Sequence, residues 1–203
     1  MLNVLITMYD SKGNGQVNIV NQLPTEAEFQ EIKNEICRVN TNDPSTCYDI
    51  KGKLGQGGFA KVFKVERKSD GAHFALKYIE PKNEKERNIV LNEVVLMQMC
   101  TENHVMLQVI EAFDYKERLW VFVELMDDAL TGFVQNLHKS YSENICKYVL
   151  KRSLEGLNYL HDKSIIHRDI KSDNLLMNAA GDIKLADFGY AVQLTEEQSA
   201  RQS

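Results

Sequence analysis

None of the four cysteines, Cys37, Cys47, Cys100 and Cys146, falls at the C-x-x-C spacing of a zinc site. Their scatter excludes a disulfide framework as well, and each thiol reads as a small buried or half-buried hydrophobe in a reducing compartment. No apolar run approaches the length of a membrane span. Residues 1–8 are apolar, yet they have no basic leader and are too short for a signal peptide, so a cytoplasmic location is expected. Basic excess is missing too: 24 Lys and Arg stand against 29 Asp and Glu, for a net charge of −5. That balance excludes a general nucleic-acid binder, which needs a cationic surface. Internal repeats and low-complexity tracts are absent.

What is present is 43% apolar content over 203 residues, enough for one large domain or two small lobes. Residues 2–9 and 16–20 are short β-prone runs separated by the turn Lys12-Gly13-Asn14-Gly15. Pro24 and Thr25 open a helical pattern over 25–38, with Phe29, Ile32 and Ile36 on one face. Residues 40–44 read as a linker. Residues 1–47 therefore form an accessory or docking segment without chemistry of its own. From Tyr48 the texture changes to strands over 48–54, 61–67 and 73–79, joined by turns such as Ser69-Asp70-Gly71. A helix over 84–99, strands over 105–115 and 118–124, and helices over 130–138 and 143–161 follow. The implied class is α+β: a small antiparallel sheet lobe with one helix, then a mainly helical lobe.

The chemistry-bearing residues fall into four groups. Leu54-Gly55-Gln56-Gly57-Gly58-Phe59-Ala60 lies between two expected strands, where glycines let backbone N–H groups approach phosphates. A Rossmann unit would need a helix next, but Val62 to Val65 continues as strand. Lys77 sits in the strand Phe74-Ala75-Leu76-Lys77-Tyr78-Ile79. Glu93 has Ile89, Val90, Leu96 and Met97 as its helical neighbours, so its carboxylate faces inward and needs a partner; Lys77 is the natural one. The run His167-Arg168-Asp169-Ile170-Lys171-Ser172-Asp173-Asn174 supplies a base, a cation and an amide in one loop. Asp187-Phe188-Gly189 adds a second carboxylate downstream. Phosphoryl transfer needs that inventory.

In this order, these motifs resemble the signature of the eukaryotic protein kinases. Lys171, two positions after Asp169, is characteristic of the serine/threonine type. Residues 92–97, Leu119-Trp120-Val121, the catalytic-loop run and residues 193–199 look like the PAK branch, kinases often controlled by small GTPases. The resemblance covers residues 48–203 and implies a two-lobe catalytic domain that uses ATP and Mg2+ to phosphorylate Ser or Thr in protein substrates. It implies that Asp169 orients and deprotonates the substrate hydroxyl, and that Lys171 neutralises the γ-phosphate. Asn174 and Asp187 would hold magnesium. Lys77, fixed by Glu93, would contact the α- and β-phosphates beneath the glycine loop from Leu54 to Ala60. Val62, Ala75 and Leu176 would sandwich the base. Val123 would be the gatekeeper, with backbone groups of Glu124 and Met126 on adenine. Met97, Val109, His167 and Phe188 would stack as a spine joining the lobes. A small GTPase or an upstream kinase would be the regulator.

Three departures stand out. Ala60 replaces the third glycine of the loop, which adds one methyl group. Asp127-Asp128-Ala129-Leu130 occupies a place that commonly holds glycines and serine, making an acidic lip. The chain also ends at Ser203, before the usual activation-loop phosphorylation site and the later helices. Arg168 nonetheless suggests control by an activation-loop phosphate. Ser199 and Ser203 read as ordinary loop serines, and His104, His138 and His161 as helix-end or surface residues. The expectation from this ending is a domain in which the apolar face of helix 143–161 lies open. The alternative function is a catalytically silent nucleotide-binding or regulatory fragment.

Overall fold

The computed structural model describes residues 5–9, 15–19, 23–36, 39–57, 60–101, 103–136 and 142–197. Strands β1 (Leu5–Tyr9) and β2 (Gly15–Ile19) form a separate antiparallel pair with Thr7 opposite Val17. Of the expected turn between them, Lys12, Gly13 and Asn14 lie outside the described residues. Helix α1 (Glu26–Ile36) carries Glu26 and Glu28 in its first turn, where carboxylates meet the positive end of the helix dipole. Its Phe29 is buried in the main core and Ile32 is half-buried, while the side chain of Ile36 lies outside the described residues.

Residues 40–44, expected as a linker, are structured instead. Asn40 belongs to β3 (Val39–Asn40), and Asp43 caps a short 3-10 turn over Pro44–Thr46 by accepting from Ser45 N at 2.9 Å. The other Asp43 oxygen accepts from the Tyr115 hydroxyl at 3.0 Å. Such local bonds are what Asp and Asn offer outside regular helix and sheet.

Strands β4 (Tyr48–Gln56), β5 (Ala60–Arg67) and β6 (His73–Ile79) form an antiparallel meander, followed by helix α2 (Glu84–Gln98). Asn83 caps α2 by accepting from Glu86 N at 2.9 Å. Strands β7 (Val109–Tyr115) and β8 (Arg118–Glu124) complete a sheet of order β3-β7-β8-β6-β5-β4. The two-residue period sorts its faces. Val65, Leu76, Phe113 and Phe122 pack with Tyr48 on one side, where Tyr48 stacks on Phe122 at 3.9 Å between centroids. Ala75, Ile79, Val121 and Val123 belong to the main core, which they share with α2. Arg87 of α2 also pairs with Asp114 of β7, tethering the helix to the sheet.

The strand expected over 105–115 begins only at Val109. Asn103 Oδ1 accepts from Val105 N at 2.8 Å, and Gln108 Nε2 donates to the Asn103 and Met106 carbonyls, so side-chain bonds replace a ladder there. The backbone of this segment pairs across the molecule: Leu185 N donates to Val105 O at 2.7 Å and Leu107 N to Leu185 O at 2.9 Å.

The second lobe holds β9 (Asp128–Ala129), α3 (Leu130–Asn136), α4 (Glu143–Asp162), β10 (Ile165–Ile166), β11 (Leu175–Met177), β12 (Ile183–Leu185) and β13 (Val192–Gln193). Strands β12, β11 and β9 form one small sheet, and β10 pairs with β13. His138, in the expected helix 130–138, lies outside the described residues. Gly156 of α4 lets the helix meet the segment after α2, because a Cβ there would stand 2.9 Å from Met106 Cε. An adjoining face of α4 is open. Ile145, Leu150 and Leu154 are exposed on it, beside a groove of about 480 Å³ lined by Val134, Val149, Leu157 and Ile170. The amino-terminal segment touches the far end of this lobe, with Glu196 N donating to Pro24 O at 3.1 Å and Glu26 N to Glu197 Oε2 at 3.0 Å. Among the described residues, no helix is long and apolar enough to cross a membrane. The α+β class expected from the sequence holds.

Candidate active site

Strand β6 and helix α2 bring Lys77 and Glu93 together, with Nζ 2.6 Å from Glu93 Oε1. Glu93 is buried, as its apolar neighbours Val90, Leu96 and Met97 require; Ile89, on the same turn, is exposed instead. Lys77 Nζ also lies 3.6 Å from Asp187 Oδ1, so one ammonium faces a carboxylate from each lobe. Burial alone pulls the Lys77 pKa down, but the charges of Glu93 and Asp187 outweigh it and the net shift is upward. The lysine stays a cation. Gly189 makes room for this cluster: a Cβ there would stand 3.3 Å from Asp187 Oδ1 and 3.9 Å from Glu93 Oε2.

The second cluster lies in the loop between β10 and β11. Asp169 Oδ2 accepts from Lys171 Nζ at 2.7 Å and from Asn174 Nδ2 at 3.0 Å, and Asn174 Nδ2 also donates to the Asp169 carbonyl at 2.8 Å. The Lys171 hydrogen bond, aided by that of Asn174, holds the Asp169 pKa below its ordinary value, and the same contact raises that of Lys171. Asp169 is therefore ionised at neutral pH. Arg168 and Asp187 both adopt left-handed backbone, with φ of 67° and 63°. Non-glycine residues rarely sit there, and such strain concentrates at functional loops.

His167 fastens the two clusters to each other. It is buried, with Nε2 3.0 Å from the Ala186 carbonyl and its ring edge-on to Phe188 at 5.1 Å. A carbonyl partner requires a proton on Nε2, which leaves Nδ1 to accept from Asp169 N at 3.4 Å. Burial lowers the His167 pKa, so the ring is neutral at physiological pH. Met97, Val109 and Phe188 are buried in one core cluster alongside it.

Around the cleft, Val62 stands opposite Lys77 in the β5–β6 register, and Ala75 opposite Val123 in the β6–β8 register. Ala75 and Val123 are buried, Val62, Met126 and Leu176 half-buried, and Leu54 exposed. Glu124 N donates to the Gln108 carbonyl at 3.1 Å, so any contact from this residue to a base uses its carbonyl. In the glycine loop, Gly55 and Gln56 belong to β4, and Gly57 N donates to Ala60 O at 2.8 Å, closing the hairpin. Ala60 takes a regular strand position opposite Ile79, where its extra methyl is accommodated. Gly58 and Phe59 lie outside the described residues.

The donor set suits a hard cation held partly by phosphate. Asn174 spends its amide nitrogen on Asp169, which leaves its oxygen as an acceptor, and Asp187 supplies a carboxylate. Among the described residues, no group of three His, Cys, Asp or Glu is arranged to hold a metal by itself. Two protein oxygens with the rest from phosphate and water is the usual pattern for Mg2+.

Two roles escaped the sequence. The acidic lip is structural: Asp127 Oδ2 accepts from Ala179 N at 2.6 Å and Asp127 N donates to Met177 O at 2.9 Å, bracing the turn after β11. Lys184, within the apolar strand β12, is buried and paired with Glu124 at 2.9 Å. Period-two reading puts such a lysine on a solvated face, and nothing in the sequence marks its distant partner.

Comparison with known proteins agrees with this geometry. The protein kinase domain family matches residues 48–203. Serine/threonine-protein kinase 10 of Mus musculus is 33% identical over 177 residues, 87% of this chain and 18% of that protein. Serine/threonine-protein kinase STE20 of Kluyveromyces lactis is 35% identical over 170 residues, 83% of this chain and 17% of its own length. Serine/threonine-protein kinase shk1/pak1 of Schizosaccharomyces pombe is 33% identical over 163 residues, covering 80% of this chain and 24% of that protein. The chain thus spans about a fifth of the length of these relatives. It belongs to the protein kinase family, with relatives in the STE20/PAK group.

Proposed function

We propose that this protein transfers the γ-phosphate of ATP to Ser or Thr hydroxyls of a protein substrate. The observation that carries the reading is the convergence of Lys77 with Glu93 and Asp187 across the cleft, beside the Asp169–Lys171–Asn174 cluster. Residues 48–203 would form the catalytic portion and residues 1–47 an accessory segment. Control by a small GTPase or an upstream kinase would follow from the resemblance to the PAK branch, and a cytoplasmic location from cysteines that suit a reducing compartment.

Asp169 receives the substrate hydroxyl and holds its oxygen in line with the γ-phosphorus. Its lowered pKa makes it a weak base at rest, so it takes the proton late, as the new P–O bond forms and the bond to the β-phosphate oxygen breaks. Lys171 lies beside the charge that spreads over the transferring group. Lys77, kept cationic, neutralises the α- and β-phosphates. Asn174 and Asp187 would hold Mg2+, which would supply charge neutralisation to the phosphates. Little bond chemistry falls to the protein; positioning and charge do the rest.

The test is transfer of labelled γ-phosphate from Mg·ATP to Ser- and Thr-containing peptides. Lys77→Met should remove transfer, and unchanged turnover in that variant would refute its phosphate role.

A further inference from the structure

Lys184 lies between Ile183 and Leu185, both wholly enclosed, and its own side chain is only 11% exposed. An ammonium at that depth is costly without a partner. Glu124 provides it, with Oε1 2.9 Å from Lys184 Nζ. The same oxygen accepts from Gln108 N at 2.8 Å, while Glu124 N donates to the Gln108 carbonyl at 3.1 Å. Gln108 is itself fixed by its Nε2 bonds to the Asn103 and Met106 carbonyls, at 2.9 and 2.8 Å. The ion pair therefore locks the end of β8 in the first lobe to β12 in the second.

Three positions that the proposed function assigns to the nucleotide lie at or next to this lock. Glu124 offers the carbonyl at the base edge. Lys184 stands directly opposite Leu176, the floor of the base site, in the β11–β12 register. Asp187, the metal carboxylate, follows β12 closely in the chain. The Glu124 side chain is thus turned away from a base and toward the second lobe.

We propose that Lys184 is a positioning residue for nucleotide binding: through Glu124 it sets the spacing between the base edge, the base floor and the metal carboxylate. This rests on the nucleotide-binding reading above. Lys184 itself touches no nucleotide; it acts through the carboxylate that it holds.

Titration calorimetry with Mg·ADP tests the idea, run beside thermal unfolding of the nucleotide-free chain. Lys184→Met and Glu124→Gln should each weaken Mg·ADP binding roughly tenfold, the worth of one charged hydrogen bond. Lys184→Arg, which keeps the charge, should recover most of the loss. Should Lys184→Met fail to fold, the isosteric Glu124→Gln carries the test alone. Tight wild-type binding left unchanged by Glu124→Gln and by any folded Lys184 variant, even with a lower melting temperature, would overturn the positioning role by itself. A folded wild-type chain that does not bind Mg·ADP would overturn the nucleotide reading, and this proposal with it.

Discussion

The Lys77 ammonium and the Glu93 carboxylate meet at 2.6 Å, although 16 residues separate them in the chain. A helix and a strand must pack correctly before either side chain finds its partner. The pair therefore reports whether α2 is packed against β6. Glu93→Gln should weaken Mg·ADP binding about tenfold by releasing Lys77, and Lys77→Met should weaken it at least as much. Calorimetry checks both; equal affinity in all three proteins would detach the pair from phosphate binding.

The neutral, buried His167 predicts a pH dependence of stability. Its pKa falls below the ordinary 6.5 on folding, so the unfolded chain binds the proton more readily. Its contribution is complete above that value and is lost as pH falls through the folded pKa. Urea midpoints should decline between about pH 7.5 and pH 5.5, and His167→Gln should flatten that part of the curve. A wild-type profile with the same slope as the variant would contradict the buried-neutral assignment.

Burial pushes the Cys100 thiol up to about 12, whereas Cys47 and Cys146 are exposed. Alkylation at mildly basic pH, mapped by mass spectrometry, should label Cys47 and Cys146 in the folded protein. Cys100 should react only after denaturant is added. Labelling of native Cys100 at a rate near that of Cys146 would show that the core around α2 opens.

The open face of α4 predicts self-association. Leu150 and Leu154 are more than half exposed, at 59% and 55%, beside the groove that reaches Ile170. Exposed apolar surface of this kind is an association liability. Replacing both leucines by glutamine should raise the monomer fraction in sedimentation and shift the melting temperature by only a few degrees, since surface changes cost little. A monodisperse wild-type chain would remove the premise.

Local signals made much of this fold legible. Strands β6 and β8 and helix α2 follow from alternation, turn residues and a helical period that the structure keeps almost unchanged. Glu93 was readable because an inward carboxylate on a helix demands a cation, and Lys77 on a nearby strand was the natural one. Residues 105–108 were not readable as non-strand, because the backbone of Val105 and Leu107 bonds to Leu185 and that of Gln108 to Glu124, partners that no local pattern announces. Residues 40–44 look like a linker by composition, yet Asp43 finds Tyr115 at long range. Lys184 and Asp127 share that cause: each is fixed by a partner far away in the chain, so their roles emerge only from packing.

Phosphoryl transfer by Asp169→Asn, set beside its affinity for Mg·ADP, tests the central claim most directly. The substitution keeps the shape of the side chain but removes the charge that Lys171 and Asn174 surround. Peptide phosphorylation should fall by about a hundredfold or more, while Mg·ADP binds within roughly threefold of wild type. Wild-type rates in the variant would contradict the account, because the carboxylate at the centre of the site would then have no part in the reaction.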